Sequence, residues 1–331
     1  MTLRGKRVCL TGAGGFIGSH VLEQLLAMGA DVSAFIHYNA LNTRGHIDYL
    51  PKHVQKEIHF IYGDLRDAHT VQAAIQGTDI VLHLGALIAI PYSYLSPTDV
   101  FQTNVLGTLN VAQAALKAGV ERLVHTSTSE TYGTARYVPM DEAHPLQGQS
   151  PYAASKIGAD KLVESFYHAY DLPVITIRPF NAYGPRQSMR AVIPTIINQA
   201  LYGDEIRLGN LTPTRDFTFV EDTARAFICA AQSKKGIGDV FNAGSGYEIS
   251  IGEIAKQIRD MVGREVSLPI SSTDARTRPV NSEVNRLFSD SAKAAQVLAW
   301  QPLVSLEDGL AKTIEWMRQH RSLYRFDEYI V

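Results

Sequence analysis

Residues 7–20 read RVCLTGAGGFIGSH, and this run decides the fold. Arg7 to Gly12 is a short, mostly apolar strand pattern. From Ser19 the sequence SHVLEQLLAMG spaces its apolar residues at helical intervals and stops at Gly29. Between them Gly12, Gly15 and Gly18 stand three residues apart. Glycine there allows a tight turn and lets the backbone approach a pyrophosphate, which then rests at the positive end of the helix. The bland alternative is an ordinary glycine-rich connection. A place between a good strand and a good helix, at the head of an alternating chain, favours a dinucleotide. Gly12, Gly15, Phe16, Ile17 and Gly18 are the candidate cofactor residues of this turn.

Outward from the turn, strand and helix patterns alternate through Ser129. DVSAFIH, IHFIYGD, DIVLHLGA and RLVHTSTS read as further strands; AHTVQAAIQG and NVLGTLNVAQAALKAG read as helices. Strict alternation with apolar strand runs predicts an α/β fold, a doubly wound parallel (Rossmann) sheet with helices on both faces. SPYAASKIGADKLVESFYHAYD follows as a long helix and PVITIRPF as a sixth strand. Then the alternation loosens. AVIPTIINQALYG and SIGEIAKQIRDMVG look helical, RDFTFVEDTARAFICAAQ runs from strand into helix, and SLEDGLAKTIEWMRQH starts at a capping Ser305. A smaller interleaved C-terminal lobe is expected: the nucleotide-binding domain at 1–179 plus about 216–245, the substrate lobe at about 180–215 plus 246–331.

Composition removes several function classes. Lys plus Arg number 31 against 33 Asp plus Glu, so no basic surplus recommends nucleic acid or an anionic membrane as partner. Two cysteines, Cys9 and Cys229, frame no disulfide network, which fits a reducing, cytoplasmic compartment. The most apolar stretch, Ile80 to Ile90, contains His83 and is about half of the roughly 20 residues a membrane span needs. The histidines and cysteines show no metal-binding spacing, so no metal is expected. Cys9 reads as core strand, His125 as a packed residue, and Trp300 with Trp316 as lobe core.

An acidic residue about 20 positions beyond a dinucleotide turn usually holds the ribose. Here the second strand ends in FIHYNALNTR, without a carboxylate. Without it nothing here fixes a preference for NAD, and His37 or Arg44 could instead meet a 2′-phosphate; NAD is expected, with NADP left open. Asp64 and Leu65, in GDLRD after the third strand, are the candidate adenine contacts. In YAASK, Tyr152 and Lys156 lie four apart on one helix face. An ammonium beside a phenol favours the phenolate, which predicts a lowered phenol pKa and a usable base.

The TGAGGFIG turn, the TSTSETYG strand end and YAASK together resemble the extended short-chain dehydrogenase/reductase superfamily, specifically its nucleotide-sugar epimerases and dehydratases. The resemblance runs along nearly the whole chain. It places Leu84, Gly85 and Ala86 of HLGA over a nicotinamide, with Thr103 and Asn104 of TNVLGT in the next helix. RPFNAYGP with Asn181 and Arg186, RDFTFVED with Arg215 and Asp222, and FNAGSG look like the family's nucleotide-sugar contacts and lobe junctions. DSAKAAQVLAWQP is similar to its C-terminal signature, with Ala299 where glycine is usual. The resemblance implies Asn104, Asn181, Arg186 and Arg215 as substrate contacts, and a tightly held NAD regenerated in each cycle. It also implies a homodimer through the helices of Asn104 and Tyr152, on which Leu109, Val111, Leu162 and Phe166 extend beyond one core face.

The triplet before Tyr132 narrows the reaction. Thr128 stands where the family carries the hydroxyl that bonds the reacting sugar hydroxyl, and Thr-Ser-Glu is similar to the triplet of sugar 4,6-dehydratases. The resemblance implies that Tyr152, supported by Lys156, takes the proton from the hydroxyl on carbon 4. Glu130 then takes the carbon-5 proton, and with Ser129 it is the candidate acid for the leaving hydroxyl on carbon 6. HYNALNTRGHIDYLP, GNLTPTRDF and RTRPVNSEVNRLF resemble the N-acetylglucosamine 4,6-dehydratases of legionaminic-acid-type pathways, which act on GDP- or UDP-linked sugar. The alternatives are a UDP-glucuronate decarboxylase, which would want a cation such as Arg186, Arg190 or Arg215 near its carboxylate, and a 4-epimerase. A non-catalytic dinucleotide sensor on the same fold is a third.

Overall fold

Val8, Cys9 and Leu10 are completely buried on both faces of the first strand, as a central strand of a covered parallel sheet requires. The computed structural model describes residues 1–264, 268–273 and 279–324. Its strands are β1 (Arg7–Thr11), β2 (Asp31–His37), β3 (Ile58–Gly63), β4 (Ile80–His83), β5 (Arg122–Thr126) and β6 (Val174–Pro179). There follow β7 (Asn181–Tyr183), β8 (Ile206–Leu208), β9 (Thr214–Phe219), β10 (Val240–Ala243), β11 (Glu248–Ser250) and β12 (Ile270–Ser272). Seven of them form one parallel sheet in the order β10-β6-β5-β4-β1-β2-β3. The chain winds outward from β1 to β3, then returns to start again at β4. That reversal opens a crevice at the strand ends between β1 and β4, where ligands of such sheets sit.

The doubly wound sheet is as expected, with one strand more than the pattern shows. The FNAGSG stretch supplies β10, which pairs Val240 with Thr176 and Ala243 with Pro179 at the sheet edge. Alternate residues of β1 divide the core. Val8 and Leu10 join the helices Phe16–Ala27 and Val220–Gln232 on one face, and Cys9 joins Ala68–Ile75, Gly107–Ala118 and Pro151–Tyr170 on the other. A second core, around Ile196, Ile197, Ile254, Ile258 and Leu310, holds a small sheet of β7, β9 and β11 with its helices. β9 belongs to this small sheet, whereas the helix that follows it packs on the large one. Ser305 caps the closing helix as its sequence predicts, accepting from Asp308 N at 3.1 Å.

Four details depart from the pattern. The helix expected to run on from Asn104 winds Gln102–Leu106 as a π turn before Gly107–Ala118, a feature frequent at functional sites. Trp300 packs with Phe241 and Leu298 in the large-sheet core and donates Nε1–H to Asp222 O at 2.9 Å, so of the two tryptophans only Trp316 lies against the lobe core. Val111 (0% exposed) and Phe166 (9%) are filled into the monomer's own core, with Leu109 and Leu162 packed against them. Val111 and Phe166 are thus closed to a partner, whereas Leu109 and Leu162 stay partly exposed, and nearby Phe101 and Leu106 are 41% and 42% exposed. Ala299 sits at φ +54°, in the left-handed region where glycine is at ease.

Candidate active site

Gly12 has φ +72°, and a Cβ placed on it would lie 2.7 Å from the backbone nitrogen of Gly85. A Cβ on Gly18 would meet the carbonyl oxygen of Gly12. No side chain fits at either place, so the turn stays closed upon itself and presents bare backbone at the start of the helix Phe16–Ala27. Thr11 fixes the opposite loop. Its Oγ1 accepts from Gly85 N at 3.0 Å and lies 2.8 Å from His83 Nδ1, while His83 Nε2 reaches Thr108 Oγ1 at 3.1 Å.

These loops border a cavity of about 940 Å³ that runs from the glycine turn to the small lobe. Gly12, Gly15, Phe16, Ile17, Gly18, His37, Asp64, Leu65, Leu84, Gly85, Ala86 and Thr103 all line it. The Asp64 carboxylate is held below its ordinary pKa, chiefly by hydrogen bonds from the Arg66 guanidinium. Bare backbone at a helix start, beside a long crevice at the reversal of the sheet, fits a dinucleotide.

Thr128, Ser129, Glu130, Tyr152 and Lys156 meet on one wall of the same cavity. Thr128 caps the single turn Ser129–Tyr132, its Oγ1 accepting from Glu130 N at 3.3 Å, which aligns the three residues after β5. The helix Pro151–Tyr170 carries Tyr152 and Lys156; Pro151 opens it, and Ser150 caps it by accepting from Ala153 N at 3.1 Å. Burial pushes the Tyr152 phenol well above its ordinary pKa, and Glu130's charge adds to the rise although Thr128's hydrogen bond opposes it. Burial also pushes the Lys156 ammonium down, to about 8, against the pull of Asp160. The lowered phenol expected from Lys156 alone is therefore reversed, because both groups are shut away from water.

At the lobe end, Asn181, Arg190 and Arg215 line the cavity. Asn181 Oδ1 and Gln187 Oε1 are buried acceptors with no hydrogen-bond partner among the described residues, a costly state that a ligand's donors would relieve. Arg215 is buried and donates to Thr214 O at 2.9 Å and to Glu283 Oε1 at 3.4 Å.

Two nominated substrate contacts lie elsewhere. Asn104 is buried outside the cavity lining. Its Oδ1 accepts from Leu87 N at 2.8 Å and its Nδ2 donates to Leu87 O and Ser155 Oγ, so it ties the loop after β4 to the Tyr152 helix. Arg186 turns away to Glu23, 2.7 Å, and Ser19 Oγ, 3.1 Å, on the first helix. Asp222 is a junction residue, its Oδ2 accepting from Leu303 N and Val304 N. The sequence reading missed Gln187, Asp99 and Ile88, which line the cavity without any motif to mark them; Glu283 lay within RTRPVNSEVNRLF, whose first three residues fall outside the described ones.

The family model for GDP-mannose 4,6 dehydratase matches residues 9–313. A dTDP-D-glucose 4,6-dehydratase of Mus musculus is 31% identical over 321 residues, 95% of this chain and 89% of that protein. A UDP-glucose 4-epimerase of Mycolicibacterium smegmatis is 34% identical over 319 residues, 94% of this chain and 98% of the relative. Among solved structures, the dTDP-glucose 4,6-dehydratase DesIV of Streptomyces venezuelae, with NAD and TYD bound, superposes with a TM-score of 0.86 at 30% identity. It covers 96% of this chain and 98% of its own. With the match running from β1 into the closing helix, the chain belongs to the GDP-mannose 4,6 dehydratase family, among the nucleotide-sugar dehydratases and epimerases of the extended short-chain dehydrogenase/reductase superfamily.

Proposed function

We propose that this protein is an NAD-dependent nucleotide-sugar 4,6-dehydratase acting on GDP- or UDP-linked N-acetylglucosamine, as a homodimer in the cytoplasm. The observation that carries the reading is a carboxylate, Glu130, sharing one cavity wall with Thr128, Tyr152 and Lys156. NAD supplies, when bound, a hydride acceptor that is restored within each cycle; the NAD-bound DesIV relative and the fitting turn support it.

In its phenolate form, Tyr152 receives the proton of the sugar's 4-hydroxyl while Thr128 holds that hydroxyl's oxygen. The buried Lys156 ammonium stabilises the phenolate from which this transfer starts, against the burial that raises the phenol's pKa. Oxidation at carbon 4 makes the carbon-5 hydrogen acidic, and Glu130 takes it as general base. The 6-hydroxyl departs as water with the proton Glu130 now carries, Ser129 lying beside it. The resulting 5,6-alkene takes back the hydride at carbon 6 and a proton at carbon 5 to give the 4-keto-6-deoxy sugar. Asn181 and Arg215, at the far wall, are suited to the nucleotide end of the substrate by their donors and charge. Similarity of the HYNALNTRGHIDYLP and GNLTPTRDF stretches to legionaminic-type enzymes supports N-acetylglucosamine as the sugar.

A 4-epimerase is the second reading, favoured by the Mycolicibacterium smegmatis relative; its chemistry needs Tyr152 and Thr128 but no carboxylate. Incubation with GDP- and UDP-N-acetylglucosamine and UDP-glucuronate, followed by mass spectrometry, separates the readings. Dehydration gives a product lighter by one water. An unchanged mass with an altered sugar means epimerisation, and loss of carbon dioxide means decarboxylation. Glu130→Gln is expected to lower dehydration about 10²–10⁴-fold; unaltered turnover removes Glu130 from the mechanism.

A further inference from the structure

We propose that Arg44 is withheld from the cofactor by Asp48 and Gln55, and that this lock makes the site select the dinucleotide without a 2′-phosphate. The inference rests on the reading that the cavity holds NAD. Beside a β2 end that lacks a carboxylate, an arginine is the side chain that ordinarily accepts a 2′-phosphate. Arg44 lines the cavity next to that end, but its guanidinium is already committed. Nε donates to Asp48 Oδ1 at 2.9 Å and Nη2 to Gln55 Oε1 at 3.0 Å, and the group lies over the Phe60 ring, 4.7 Å from its centre.

The lock has its own foundation. Asp48 Oδ2 accepts from Arg44 N at 2.8 Å and from Thr43 Oγ1 at 3.0 Å. Gln55 is buried and donates Nε2–H to Leu50 O at 2.7 Å. A guanidinium swinging toward a phosphate would leave Asp48 Oδ1 and Gln55 Oε1 without that donor.

The second arginine at this end is no freer. Arg66 is held between Asp64, at 2.5 Å, and Asp99, at 2.9 Å. Two guanidinium groups thus face three carboxylates. A phosphate monoester, carrying about −1.5 to −2 at neutral pH, would enter a region whose positive charge is already overcompensated. His37, at the end of β2, offers no bidentate fork to replace an arginine. A ribose hydroxyl brings no charge and meets no such opposition.

Calorimetric titration of NAD and of NADP into the cofactor-depleted protein tests this. The wild type is expected to bind NADP at least about tenfold more weakly than NAD. Asp48→Asn removes one carboxylate and untethers Arg44; NADP is expected to tighten about tenfold with NAD little changed. The double variant Arg44→Leu/Asp48→Asn is expected to lose that gain. Arg44→Leu alone keeps the apolar packing on Phe60, guards against misfolding of the Asp48 variant, and is expected to leave the NAD-to-NADP ratio at the wild-type value. Equal wild-type affinities overturn the proposal, as does Arg44→Leu weakening NADP alone. Failure of the folded wild type to bind either dinucleotide overturns the cofactor reading instead.

Discussion

Lys156 shows how much one buried charge depends on its neighbours. The side chain lies one helical turn from Tyr152, and Asp160 lies one turn further on the same face. Asp160 accepts from Ser127 Oγ at 2.6 Å and Arg178 Nη2 at 2.7 Å, and is 3.2 Å from His125 Nε2. Its negative charge partly restores the Lys156 ammonium, which burial has brought down to about 8. The proposed chemistry uses the charged form of Lys156, so kcat/KM is expected to fall as pH rises through about 8. Asp160→Asn keeps one acceptor oxygen, for Ser127 and Arg178, and deletes the charge, so the alkaline limb moves to lower pH. A limb that stays in place would reduce Asp160 to a packing role. Thr128, Glu130, Tyr152 and Lys156 were legible because one turn and one helix face bring each group together locally. The resemblance implies Asn104 and Arg186 as substrate contacts, but Leu87, Ser155, Glu23 and Ser19, distant in sequence, decide where those side chains point.

At the scale of elements, caps and glycines marked the boundaries well, since each acts within a few residues of itself. Ser150, Ser250 and Ser305 cap their helices by short-range bonds. The Ala299 departure is also local: the residue ends the helix Ala292–Leu298 in a left-handed conformation. Ala299→Gly relieves that conformation, and a gain of about 0.5–1 kcal/mol is expected after glycine's entropic cost. Chemical denaturation measures it; a loss of stability would show that the Ala299 methyl packs favourably. The π turn at Gln102–Leu106 was not legible, because what it accommodates is Asn104's grip on the loop after β4, an element apart.

For the whole molecule, the strand order places the end of β1 beside the end of β4, and so sets the glycine turn against the Gly85 loop. The proposed homodimer also belongs to this scale. With Val111 and Phe166 consumed by the monomer core, Phe101 and Leu106 are among the exposed apolar residues of the helices proposed to pair, as are Leu116 and Tyr170. Replacing the first two, Phe101→Glu with Leu106→Glu, is expected to give a folded monomer in sedimentation velocity where the wild type is a dimer. A double variant that still sediments as a dimer would move the interface elsewhere.

By itself the sequence determined the alternating fold, the glycine turn at the helix start and the Tyr152–Lys156 pair, because periodicity, capping and helix spacing act over a few residues. Only the tertiary structure decided which cations are free to meet a ligand, which apolar side chains the core consumes, and which way the phenol's proton affinity moves. Each of those depends on burial and on partners far along the chain, and neither quantity exists until the sheet and the lobe have closed around the cavity.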